Sequence, residues 1–156
     1  MDNFDFAGSY GMKLKRKPSM DVDKDIVNSV DEETADLADE LMLSAISFHK
    51  LHLKVKDLGS YAAHKALNDL YDAMPGHADD LVEGYQGAAE RIIKCDDENN
   101  PPKVLNTVED AVFYIRELVS KVNELQGMMP YSEIVNELDN VKSTLNSAKY
   151  KLLFLK

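Results

Sequence analysis

Four amphipathic helical stretches predict an all-α four-helix bundle. Three observations carry that prediction. Apolar residues recur three and four apart along four separate segments of the chain. No stretch alternates with the period of two that a half-buried strand needs. Two of the three connections are short, and the third is long and polar.

The first helix opens near Asp31 to Thr34, where small polar residues and an acidic first turn suit an N-terminus. Leu37, Leu41, Ala45, Phe48 and His52 then share one face, and the helix should stop between Val55 and Gly59. A second helix opens at Ser60, with Tyr61, Leu67, Tyr71, Met74, Ala78, Leu81 and Tyr85 as its apolar face. Pro75-Gly76 should kink or interrupt it, because proline removes a donor and crowds the preceding turn. It should end at Gly87 or shortly after. The stretch from Ala88 to Asn106 is the long connection, with room for a short helix at Ala88 to Lys94 and a plain loop around Pro101-Pro102.

Thr107 is placed to cap a third helix with Val108, Val112, Ile115, Val119, Val122 and Leu125 inward, closed by Gly127 and Pro130. Ser132 should cap a fourth, with Val135, Leu138, Val141, Leu145 and Leu152 inward. The apolar ending Tyr150 to Leu155 should dock rather than fray. A connection of about 20 residues is long enough to cross a bundle about 30 Å long at about 3.3 Å per residue. Two helical hairpins joined by one such crossover form the ferritin-like arrangement of a bundle. Residues 1–30 lack a sustained apolar period and read as an arm, with residues 31–156 as the bundle.

The 156 residues carry 18 Lys and Arg against 28 Asp and Glu, a formal net charge of −10. Basic and acidic residues balance within the arm, so the surplus sits on the helical body. That body is a poor generic partner for phosphates. The single cysteine, Cys95, excludes an intrachain disulfide framework and cysteine-rich zinc modules. No run of about 18 apolar residues suggests a membrane span. The first residues have no apolar signal-peptide core, so a cytoplasmic location is expected.

All four histidines, His49, His52, His64 and His77, fall in one short stretch of the chain. His64, Asn68, Asp72, Asp79 and Glu83 follow steps of four and seven, which places them near one line of the second helix. Asp79 and Glu83, four apart, can present two carboxylates to one cation. His64 and Asp79 lie 15 residues apart, about 22 Å along a helix, so one chain cannot bring them to one metal. Two copies of the helix packed antiparallel about a twofold axis near Asp72 to Met74 can. Each site then takes His52 and His64 from one copy and Asp79 and Glu83 from the other. Imidazole with carboxylate suits iron or zinc better than calcium.

The spacing His52-x11-His64-x14-Asp79-x3-Glu83 resembles the ferroxidase signature of the Dps family of mini-ferritins. The segment His52-Leu53-Lys54-Val55-Lys56-Asp57-Leu58-Gly59 is similar to that family's His-Trp-Asn-Val-Lys-Gly-Pro stretch, and Tyr150 to Leu155 to its apolar last turn. Leu81 to Gly87 also resembles Dps-like proteins encoded by bacteriophages. The likeness covers residues 34–94 in detail. It implies His52, His64, Asp79 and Glu83 as iron ligands and catalytic residues of a ferroxidase-type oxidoreductase. It also implies a dodecamer built from twofold dimers, a role in iron storage and oxidative protection, and zinc as an alternative occupant. Asn68 stands where the family has a further Asp ligand, and Leu53 where it has Trp.

Other readings stand beside this one. His52 can be a helix-end histidine bonded to a carbonyl. His49 reads as core or interface, and His77 as a surface residue able to supply an accessory ligand. Asn68 and Asp72 read as a solvated face or accessory ligands. Lys13, Lys15, Arg16 and Lys17 form a basic cluster like the tails with which some mini-ferritins hold DNA; a solvated tail or a partner-docking arm is the alternative. The competing function is a non-catalytic ferritin-like structural or assembly protein, such as a phage virion component, which would place it in the virion.

Overall fold

Val30, Thr34, Leu37, Leu41, Phe48 and His52 fall on the buried side of one continuous helix, α1, Lys24–His52. The computed structural model describes residues 24–57, 60–95 and 100–155, without the side chains of residues 24 and 25. Three further helices follow: α2, Ser60–Ala89; α3, Val108–Met128; and α4, Ser132–Phe154. No strand is present among the described residues. The fold is the expected all-α four-helix bundle.

α1 begins earlier than its sequence suggests, so the expected boundary at residue 30 moves to about residue 24. Val30 is buried one turn before Thr34 and continues the inward stripe. Polar Asn28 and Ser29 hide that continuation from a periodicity reading. The shift leaves the charge argument intact, because Lys24 and Asp25 cancel. Thr34, Ser44 and Ser47 sit on the buried stripe because each hydroxyl donates to a carbonyl of the preceding turn, those of Val30, Leu41 and Leu43.

α2 runs unbroken through Pro75, contrary to the expected interruption. Leu70, Met74, Ala78 and Leu81 are buried on either side of it, so tertiary packing holds the helix across the missing donor. Gly84 lets α4 come close: a Cβ there would lie 3.1 Å from Ile134 Cδ1. The expected short helix at Ala88 to Lys94 does not form. Glu90 takes a positive φ of 53° and ends α2, and the Arg91 and Ile93 amides return to the Gln86 carbonyl and side chain.

Thr107 caps α3 as its sequence predicts. Its hydroxyl accepts from the Asp110 amide, and the Asp110 carboxylate accepts from the Thr107 amide. Ser132 is instead the first residue of α4; Tyr131 occupies the cap position with no side-chain hydrogen bond. Of the apolar residues at the chain end only Leu152 packs on the core, while Tyr150, Leu153, Phe154 and Leu155 are exposed.

Side-chain pairs set the helix directions. Asp31 near the start of α1 meets Tyr85 and Arg91 at the end of α2, and His52 meets His64 at the other end, so α1 and α2 are antiparallel. Lys151 with Asp69, His77 with Thr144 and Tyr85 with Tyr131 make α2 and α4 antiparallel. Gln126 with Val135 and Asp139 does the same for α3 and α4. α1 packs on α2 and α3, and α4 on α2 and α3, so α2 and α3 lie on a diagonal. Those two are parallel, and the connection between them crosses the length of the bundle. It is pinned where Lys103 bonds Glu117 at 2.7 Å and lies 4.5 Å from the Tyr114 ring centre.

Candidate functional site

α1 ends with His52 and α2 carries His64 just past its first turn, and the antiparallel register brings the two together. The rings of His52 and His64 stack with centroids 3.7 Å apart and planes 26° from parallel. His52 Nδ1 lies 3.1 Å from the His64 carbonyl, and His64 Nδ1 lies 3.4 Å from the His52 carbonyl. A carbonyl only accepts, so each Nδ1 carries the proton and donates. In the neutral ring each Nε2 is then the bare lone pair. The expected carbonyl-bonded helix-end histidine is therefore present, in reciprocal form, and it leaves both Nε2 atoms as acceptors. A metal-binding imidazole needs its other nitrogen held in this way.

Two aromatic side chains extend the cluster. His49 is exposed rather than core and stacks on Tyr71 with centroids 4.2 Å apart. Tyr71 also meets His52 edge-on at 5.1 Å. Its hydroxyl donates to Asn68 Oδ1, and the Asn68 amide donates to Asp72 Oδ2 at 2.6 Å. Asn68 and Asp72 thus satisfy each other, one turn from the histidine pair. Tyr71 was legible only as apolar packing, although it lies seven residues beyond His64, on the same face.

Asp79 and Glu83 are both exposed, and neither joins an ion pair among the described residues. Glu83 lines an open groove of about 460 Å³ between α2 and α4 with Asp80, Glu133 and Glu137. Because α2 is continuous, the 15 residues from His64 to Asp79 do span about 22 Å. Within one chain no three His, Cys, Asp or Glu side chains among the described residues converge to hold a cation. The two halves of the sequence-predicted site, His52 with His64 and Asp79 with Glu83, are thus held apart along α2 and not joined in one chain.

His77 departs from its expected role. It is half-buried between α2 and α4, and its Nε2 lies 2.9 Å from Thr144 Oγ1, so that nitrogen already has a partner. Burial lowers its pKa, against the pull of Asp80 and Glu137. Lys13, Lys15, Arg16 and Lys17 lie outside the described residues.

A charged group that periodicity missed lies mid-bundle. Glu40 of α1 is buried, paired with Lys121 and near Lys103 at 3.8 Å. Tyr114 also bonds it, and burial followed by the Glu40 charge raises the Tyr114 pKa. One carboxylate with two lysines and a phenol is a satisfied ion pair that ties α1 to α3 and the crossover.

A family model described as a family of unknown function, DUF5856, matches residues 52–152. The chain belongs to this family. The DUF5856 match starts at His52 and takes in His64, Asp79, Glu83 and all of α2 and α3, but little of α1. No curated protein and no solved structure matches the chain. No helix among the described residues is long and apolar enough to cross a membrane.

Proposed function

We propose that this DUF5856 chain is a Dps-like iron-binding protein. Ferrous iron is its substrate, taken at sites shared by two copies and oxidised there. The observation that carries the reading is the His52–His64 pair, with both Nδ1 atoms on carbonyls and both Nε2 atoms left as acceptors. Asp79 and Glu83 of a second copy supply the anionic oxygens, being exposed and without ion pairs among the described residues. Exposed Met42 and Ile46 on α1, with Leu53 just past its end, flank His49 and give the second copy apolar surface to cover.

In this reading the imidazoles hold the ion without adding charge, and the carboxylates favour the higher charge of the ferric product. Each ferrous ion gives up one electron; a peroxide takes two electrons and two protons and leaves as water. The acidic body concentrates cations near the sites. Homo-oligomerisation, a dodecamer in the fullest form, provides the volume for storage, and the cytoplasm is the fitting compartment.

Native mass spectrometry of the chain with ferrous iron under anaerobic conditions tests this, followed by stopped-flow oxidation with peroxide. The reading requires an even-numbered oligomer that retains iron and an oxidation rate well above buffer. A monomer, or a rate equal to buffer, overturns it.

The same pair favours a second reading. The reciprocal ring-to-carbonyl bonds clasp α1 to α2 and need no metal to do so. A non-catalytic structural or assembly protein, as in a phage virion, keeps that clasp without turnover.

A further inference from the structure

The end of the bundle where α1 stops and α2 and α3 start holds an open cavity of about 490 Å³. Its walls are Leu51, Val55, Ala63, Val108, Leu152 and Leu155, and Lys54 and Lys56 also line it. Ser60, Asn106 and Thr107 complete a lining that is apolar and polar in similar measure, and the volume is that of a binding pocket. Lys65, Arg91, Lys103, Lys121, Lys142 and Lys151 pair with carboxylates, whereas Lys50, Lys94, Arg116 and Lys149, like the two pocket lysines, join no ion pair among the described residues. Lys54 and Lys56 join no ion pair among the described residues, and Lys54 Nζ reaches only the Leu105 carbonyl, at 3.4 Å. An occupant with both apolar bulk and negative charge complements this lining.

We propose that the occupant is the chain's own N-terminal segment, Met1-Asp2-Asn3-Phe4-Asp5-Phe6. Phe4 and Phe6 supply apolar bulk for the walls, and Asp2 and Asp5 supply the charge that Lys54 and Lys56 lack. The segment carries no Lys or Arg. Its reach suffices. Phe6 stands 18 residues before Lys24, about 59 Å of extended chain. The 29 residues of α1 between Lys24 and the pocket end span about 43 Å. The segment can thus seat on its own bundle or on that of a second copy. The docked arm would lie against the corner that carries His52 and His64. The inference does not depend on the iron reading, and either can fail alone.

The test places a photoreactive phenylalanine analogue at position 6 of the full chain and maps its cross-links by mass spectrometry. Cross-links should fall on peptides containing Leu51 to Lys56 or Leu152 to Leu155. Mixing light and heavy chains tells own-bundle from second-copy seating, and either carries the proposal. Lys54→Glu with Lys56→Glu should lower the yield at least fivefold while leaving the helical circular-dichroism spectrum unchanged. No cross-link, cross-links confined to the α2–α4 side, or an unchanged yield in the double variant overturns it.

Discussion

His52 and His64 hold each other through their backbones: each ring lies on the other, and each Nδ1 donates to the carbonyl of the residue it stacks on. The tautomer is fixed by this geometry rather than by any ligand. The clasp and the proposed ligand function therefore fall on different nitrogens of the same ring and can be separated by substitution.

His52→Asn keeps an amide donor near the position of Nδ1 and removes Nε2. The variant should retain most of the fold, losing about 1 kcal/mol or less for the ring contact. Ferrous affinity should fall at least tenfold, as expected for a lost ligand. His52→Ala removes both nitrogens and should cost about 1 kcal/mol more, because the ring-to-carbonyl bond across the two helices is lost while the His64 carbonyl keeps its intrahelical donor. Denaturant unfolding alongside anaerobic iron titration reads the two effects apart. Equal iron affinity in His52→Asn and wild type means that His52 serves only as a clasp.

Glu40 provides a test independent of function. Removing one partner from a buried ion pair leaves a charge without compensation, whereas replacing the whole set by apolar groups can be neutral. Lys121→Met should destabilise by about 1–3 kcal/mol, less than a fully buried pair because the Lys121 side chain is 46% exposed. Glu40→Leu together with Lys121→Met should recover most of that loss. A double-mutant cycle by urea denaturation measures the coupling, and additive losses would show that the pair does not interact.

What the sequence could and could not reveal follows from where each residue's partners lie. Leu37, Leu41 and Phe48, and Leu138, Val141 and Leu145, were legible because helical period alone places them inward. Thr107 was legible because a capping box is local in sequence. Glu40 was not, since its charge is satisfied by Lys103 and Lys121, far along the chain, and buried charges break the apolar pattern. Pro75 misled because local propensity says nothing of the packing on either side of it. Of the site, the placement of His52 beside His64 followed from an antiparallel hairpin. The stacking of His49 on Tyr71, and the engagement of His77 by Thr144, depended on side-chain levels that spacing does not fix.

His77 makes a pH prediction. Its folded-state pKa is lowered, chiefly by burial, so the folded chain binds less proton than the unfolded chain below the ordinary value of 6.5. The stability tied to its neutral form is present above that value and is lost as pH falls below it. Wild type should therefore lose stability on going from pH 7 to pH 5. His77→Gln, which keeps a polar partner for Thr144 without a titrating ring, should show a flatter dependence over that window. Thermal unfolding at several pH values measures it, and parallel curves for the two proteins would remove His77 as the cause.

Pro75 makes the last prediction. Inside a helix a proline costs about 3 kcal/mol relative to alanine, through the lost i to i−4 bond and its clash with the preceding turn. α2 passes through Pro75 without a break, so that cost is carried by the packing of Leu70, Met74, Ala78 and Leu81. Pro75→Ala restores a donor to the Tyr71 carbonyl and should stabilise the monomer fold by about 1–3 kcal/mol, read as a higher urea midpoint. Pro75 also lies one residue beyond the proposed twofold axis near Asp72 to Met74. There two α2 helices would pass each other, and a carbonyl freed of its intrahelical donor can accept across the contact. If that contact uses the freed Tyr71 carbonyl, Pro75→Ala should weaken dimerisation at least severalfold even as the fold gains stability. Opposite shifts in unfolding midpoint and dimer dissociation constant tie Pro75 to the interface; a gain in stability with unchanged dimerisation leaves it as a tolerated helix defect.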